Sequence, residues 1–152
     1  MTVEIRLAAA GDVEQLAELL FRDADAGEQA AGEQSFAPDL RRWWEAHQDT
    51  HLPFLAVLPS GAAVGMAWLA LAARVPRPGR TGRLCGDVQS VYVVPEHRSD
   101  GVGVALVRAL LRHAEALGLE HVTVHSSTRA VPVYERAGFA ASRELLWWAP
   151  GA

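Results

Sequence analysis

The chain has 152 residues, 50% hydrophobic and 21% charged, with a net charge of −4 and a single cysteine, Cys85. This length argues for one domain, residues 1–152, with a sizeable core. The composition excludes a disordered chain, the acidic balance disfavours nucleic-acid binding, and one cysteine excludes an intrachain disulfide.

Charge is unevenly spread. Residues 12–49 hold ten acids against three arginines, a net of −7. All 14 basic residues are arginine, which together with the many alanines reads as a coding bias. The opening "MTVEIRLAAAGDVEQL" carries acids and lacks the apolar centre of a secretion signal, so a cytoplasmic setting is expected. Residues 52–73 carry no formal charge, but Pro53, Pro59, Ser60 and Gly61 interrupt them, and "LPSGA" reads as a hairpin turn instead of part of a membrane span.

In chain order, Val3, Ile5 and Leu7 alternate with polar residues as a first strand. Asp12 is placed to cap a helix whose apolar positions are Val13, Leu16, Leu19 and Leu20. "DADAGEQAAGEQSFAP" reads as a loop or irregular helix, and a short helix follows around Asp39–His47. A hairpin pairs Phe54–Leu58 with Ala63–Leu71. "RVPRPGRTGR" is a loop and Leu84–Val94 a strand. Gly101–Leu117 is the clearest helix, with Arg108, Arg112 and Glu115 as its polar stripe and Gly118 suited to its C-terminal cap. His121–His125 is a strand, Ala130–Ala137 a short helix stopped by Gly138, and Phe139–Trp148 a closing strand or hairpin. The expected order is β-α-α-β-β-β-α-β-α-β, a mixed α/β layout.

The stretch "RSDGVG", from Arg98 to Gly103, opens the long helix. The first turn of a helix leaves N–H groups without intrahelical partners at the positive end of its dipole. Glycine at 101 and 103 lets an anion reach them without meeting a Cβ, which suits a diphosphate. An ordinary tight turn with a close helix–strand contact is the competing reading. A P-loop is ruled out by the absence of lysine, and a dinucleotide fingerprint is disfavoured by Leu106 where its third glycine belongs.

Three blocks then agree in order and spacing: "VQSVYVVPEHR" running into "RSDGVG", "VTVHSSTRAVPVYERAGF", and "VEIRLAAAGDVEQLAELL" near the start. Together they resemble the GNAT superfamily, the acyl-CoA-dependent N-acyltransferases, with the hexamer in the place of its (Q/R)xxGx(G/A) motif. The resemblance implies an α/β (α+β) fold: a mixed, mostly antiparallel central sheet, splayed between strands 4 and 5 and flanked by about four helices. It implies acetyl-CoA as cosubstrate and direct transfer to a primary amine in a ternary complex, with no acyl-enzyme and no metal. The backbone N–H of Val91 would face the thioester carbonyl, and Val93 would pair with pantetheine as an added strand does. Main-chain groups of Arg98, Ser99, Asp100, Gly101, Val102, Gly103 and Val104 would hold the diphosphate. Ser127 stands where the family often has an asparagine on the cofactor.

Positions 99 and 100 depart from the family's usual glycine and basic residue. As a helix N-cap, Asp100 would compete with a diphosphate for the same N–H groups and weaken CoA affinity unless it points away. Tyr134 matches the usual general acid, which returns a proton to the departing thiolate; a thiol of pKa ~8.5 lies within reach of a phenol of pKa ~10. The alternative for Tyr134 is a core role. An alkyl amine, pKa ~10.4, needs a base at neutral pH. Asp87 is the leading candidate: strand alternation sets Asp87, Gln89, Val91 and Val93 on one face, and partial burial would raise a carboxyl towards working range. His125 is the runner-up, and an exposed or salt-bridged Asp87 the alternative.

Metal binding is disfavoured. His121 and His125 lie ~13 Å apart along a strand, and His47 and His51 lack a third ligand. The acidic segment would attract a basic small-molecule amine over a protein amine, or is simply a solvated helix face. Arg74, Arg77, Arg80 and Arg83 would grip an acidic group on the acceptor or stay in water. Trp43 and Trp44 would line the acceptor pocket or brace the second helix. A final strand ending "LLWWAP" is the candidate surface for a homodimer. No nucleic-acid or membrane partner is expected. The competing functions are a non-catalytic acyl-CoA-binding or regulatory domain of the same fold and, less favoured, a nucleotide-dependent oxidoreductase.

Overall fold

The computed structural model describes residues 2–151. Its sheet runs β1 (Glu4–Leu7), β2 (His51–Val57), β3 (Ala63–Ala73), β4 (Leu84–Val93) and β5 (Val122–Val124) in spatial as in chain order. The first four are antiparallel neighbours; β4 and β5 are parallel, joined by the crossover helix α4 (Val102–Ala116). Helices α1 (Val13–Asp23), α2 (Ala26–Gly32) and α3 (Phe36–His47) precede β2, and α5 (Val131–Ala137) follows β5. The expected mixed α/β sheet is therefore present, flanked by five α-helices among the described residues. No helix among the described residues is long and apolar enough to cross a membrane.

Strand alternation divides the core into two layers. Leu106 and Val102 of α4 close on Gly65, while Trp43 and Trp44 of α3 meet Trp68 edge-on at 6.2 and 6.0 Å from the other side. Leu16, Leu55, Met66, Leu69, Leu106 and Leu110 are wholly buried, each worth about 1.5–3 kcal/mol of apolar burial. The adjacent tryptophans therefore brace α3. Trp44 is buried and donates its Nε1–H to His51 O at 3.2 Å, and Trp43 stacks on His47 at 4.4 Å.

Several local expectations change. Asp12 stands at the N-terminus of α1 but caps no helix N–H: its carboxylate accepts from Arg6 Nη1 and Nη2 at 2.7 and 2.9 Å and from Ala9 N–H at 2.7 Å. The irregular segment contains a formed helix, α2, because Asp25 and Glu28 make a reciprocal capping box. Residues 139–148 form no strand. "ELLWW" has strand propensity, but β5 is only three residues long and offers too little edge to pair with. Trp147 instead stacks on His125 at 5.4 Å, and Leu146 and Trp148 are exposed. In the loop between β3 and β4, Arg83 makes a two-pronged pair with Glu120 at 2.7 and 2.9 Å, joined by Arg80 at 3.2 Å and Arg74 at 3.6 Å. Three of the four loop arginines thus pin the loop to the start of β5.

The largest correction is in β4. Gln89 lies opposite Trp68 and Tyr92 opposite Met66, so three steps of β4 match two of β3. Ser90 takes up the extra residue at φ +53, which makes this a β-bulge. Cross-strand partners share a face, so Asp87, Gln89 and Tyr92 lie on the α1/α3 side and Val93 on the α4 side. The single face expected for Asp87, Gln89, Val91 and Val93 does not exist.

Candidate active site

The last rung between β4 and β5 is Val88↔Val124. Beyond it the strands part. Val94 N–H donates to Val64 O across β3 at 2.9 Å; by alternation the main-chain groups of Val93, and of Val91 two residues before it, point away from β3 and into the gap. Arg98 fills part of this edge: its Nε donates to Val93 O at 2.9 Å while its guanidinium lies 5.4 Å from the centre of the Tyr92 ring.

The gap opens into a cleft of about 550 Å³. It brings together Val91, Val93, Arg98, Ser99, Gly103, Ser127 and Tyr134, all of them singled out in the sequence. At its mouth Gly101 turns the chain into α4 with φ +79, and Ala105 N–H is the first to bond back, to Gly101 O at 3.0 Å. The N–H groups of Val102, Gly103 and Val104 therefore precede the intrahelical ladder at the positive end of a 15-residue helix. A Cβ on Gly103 would make only ordinary contacts, 3.6 Å to Val133 and 3.8 Å to Val93.

Ser99 holds φ +72, which explains why glycine is usual at that place. A side chain in the left-handed region costs about 1–2 kcal/mol, partly offset by the freedom glycine adds to the unfolded chain. Ser99→Gly is therefore expected to raise the melting temperature by about 2–4 °C in scanning calorimetry; an unchanged or lower value would refute the account. Asp100 does not cap α4. Its side chain is 60% exposed and sits 3.7 Å from His97 Nδ1, so the expected contest with a diphosphate for the same N–H groups is absent. Ser127 lines the cleft while its hydroxyl accepts from Ala130 N–H at 3.3 Å.

Tyr134 is buried, 9% exposed, with Phe139 edge-on at 5.6 Å. Desolvation pushes its phenol up from the ordinary value, so it stays protonated at neutral pH. It also lines a second cleft of about 690 Å³ beside β5, where His125 lies. Asp87 is half-buried and hydrogen-bonded: Thr123 Oγ1 donates to Oδ1 at 3.1 Å and Gln89 Nε2 to Oδ2 at 3.2 Å. It is not among the residues lining either of these clefts.

A third cleft, of about 360 Å³, lies between α1, α2, α3 and the β4 bulge, with Leu20, Asp23, Glu28, Phe36 and Ser90 on its walls. Asp23 lines both this cleft and the β4–β5 cleft. Arg129 and Arg136 also line the latter. None of the three stands out as a site residue in the sequence; only the fold brings α1 against the β4–β5 opening. Among the described residues no three His, Cys, Asp or Glu side chains come together as a metal site.

Residues 13–139 match the model of the acetyltransferase (GNAT) family. The chain is 34% identical over 88 residues to a glucosamine 6-phosphate N-acetyltransferase of Trypanosoma brucei brucei, covering 58% of each protein. It is 34% identical over 103 residues to a mycothiol acetyltransferase of Saccharomonospora viridis, covering 65% of this chain and 33% of that one. The alignments thus span well under two thirds of these relatives. The crystal structure of an acetyltransferase of Trypanosoma brucei superposes with a TM-score of 0.78 at 25% identity, over 97% of this chain and 99% of that one. Strand topology, the splay between β4 and β5, the glycine turn and the family match converge, and the chain belongs to the GNAT family of acetyltransferases.

Proposed function

We propose that the chain transfers an acetyl group from acetyl-CoA directly to a primary amine in a ternary complex. The observation that carries this reading is the β4–β5 cleft, in which an open strand edge, a helix N-terminus free of side-chain caps and a buried tyrosine face one space. Each suits one part of an acyl-CoA. The N–H groups of Val102, Gly103 and Val104 would receive the diphosphate, with Arg98 and Arg129 adding positive charge. The free edge at Val91 and Val93 would pair with pantetheine amides, a place where Arg98 now bonds Val93 O and which it would yield. Tyr134 would protonate the leaving thiolate.

The acceptor fits a basic small-molecule amine better than a protein amine. Asp23 and Glu28 put negative charge in the cleft behind the β4 bulge, and the relatives named above act on glucosamine 6-phosphate or are mycothiol acetyltransferases. Arg74, Arg80 and Arg83, committed to Glu120, no longer argue for an acidic acceptor.

The alternative, a non-catalytic acyl-CoA sensor, drew on Asp100 and loses force because that side chain turns to solvent and His97. A panel of primary amines with acetyl-CoA, followed by thiol release, is expected to show turnover with basic small amines. Tight CoA binding with no turnover on any amine would favour the sensor.

A further inference from the structure

We propose that Asp23 is the carboxylate that receives the acceptor's ammonium group and takes its proton before acyl transfer. The inference rests on the transferase reading and assigns the base to a residue outside β4.

The acceptor nitrogen must stand where two spaces meet: the one that would hold the thioester, and the one that admits the amine. Asp23 is the carboxylate that lines both the β4–β5 cleft and the cleft behind the bulge. It occupies this place because α1 ends there: Asp23 is the last residue of the helix, and the chain turns at Ala24, whose N–H bonds back to Leu20 O and Phe21 O. Ser90, on the wall of the acceptor cleft, marks the β4 bulge. Asp87, in contrast, has both oxygens engaged by Thr123 and Gln89 and lines neither cleft.

Asp23 is accessible from solvent, as a group that meets a diffusing acceptor must be. Surrounding protein still desolvates it enough to push its carboxyl up from the ordinary value; the charge of Arg98 acts the other way and that of Glu28 adds to the rise. A carboxylate shifted up is a better proton acceptor, and Glu28 supplies a second negative charge for a cationic acceptor.

The step balances. Asp23 takes one proton from R–NH₃⁺, leaving the nitrogen lone pair to form the C–N bond with the thioester carbonyl. The C–S bond breaks and the thiolate takes the Tyr134 proton. The second amine proton passes to the Tyr134 oxygen, and Asp23 later gives its proton to solvent. The sum is an amide, a thiol and one released proton.

The test compares wild type, Asp23→Asn, Asp23→Glu and Asp87→Asn, each checked for melting temperature and acetyl-CoA affinity. Two acceptor classes are used at pH 7: alkyl amines, which are protonated, and hydroxylamine or an aryl amine, which is neutral. Asp23→Asn is expected to lower kcat/KM for alkyl amines about 100-fold, to leave acetyl-CoA affinity unchanged, and to spare the neutral amines; Asp23→Glu regains part of the loss. A purely structural role would depress both acceptor classes together. An Asp23→Asn rate equal to wild type, equal losses with both classes, or an alkyl-specific loss found in Asp87→Asn instead would overturn the proposal while the transferase reading stands. Absence of turnover in the wild type overturns that reading, and this inference with it.

Discussion

Tyr134→Phe is expected to lower kcat by about 10²- to 10³-fold, the usual worth of a positioned general acid, with KM for acetyl-CoA and the melting temperature little changed. The substitution removes one oxygen and keeps the ring, so the edge contact with Phe139 and the burial of the helix face persist. The phenol is poised for the part by two features that a core tyrosine need not share. It opens onto the β4–β5 cleft although its ring is buried, and desolvation keeps its proton in place at neutral pH. A thiolate leaving beside this phenol meets a proton already in place. A loss in kcat alone identifies an interaction made only in the transition state. Steady-state kinetics on the variant, with calorimetry for acetyl-CoA affinity, decides the matter. A rate indifferent to the change would end the general-acid assignment. A fall in melting temperature that tracks the fall in rate would return Tyr134 to the core.

Apart from α2, the order of strands and helices up to α5 could be read from the sequence because these elements carry their own local signals: alternation in Val3–Leu7, helical spacing in Val13–Leu20, glycines closing α4 and α5. The glycine turn was legible for the same reason. What escaped depends on partners distant in the chain. The β4 bulge sits on Ser90, not on a glycine, and regular alternation is the natural reading of "DVQSVYV"; only pairing with Trp68 and Met66 shows the extra residue. The last strand failed in the opposite way, with propensity present and no adequate edge to receive it. The arginines of the β3–β4 loop found a single glutamate 37–46 positions away, and no local pattern announces such a pair. Asp23 is the clearest case. Its neighbours in sequence are helix and loop, and its chemistry arises from where α1 ends against the mouth of the β4–β5 gap.

The two glycines of the turn are there for different physical reasons, and substitution separates them. Gly101 needs its freedom for the backbone, since φ is +79 at the entry to α4. Gly103 lies inside the helix, and a methyl group there would meet only Val133 at 3.6 Å and Val93 at 3.8 Å. Packing therefore does not demand glycine, and helix propensity opposes it by about 1 kcal/mol. What glycine supplies at 103 is space beside the free N–H groups. Gly103→Ala is thus expected to raise the melting temperature and to keep CoA binding within about threefold, or 0.7 kcal/mol, in line with the glycine or alanine that the family motif accepts at this place. Gly103→Leu carries the side chain past contact distance and into the cleft that this residue lines. It is expected to weaken CoA binding by about 100-fold or more, near 2.7 kcal/mol, while the chain stays folded, because the added atoms enter an open space and not the core. Titration calorimetry with CoA on both variants gives the contrast. If the leucine variant bound CoA as the wild type does, the diphosphate would have to lie elsewhere than at the start of α4. If alanine alone abolished binding at an unchanged melting temperature, the contact would be closer than a methyl group allows, and the room measured beside Gly103 would belong to the ligand.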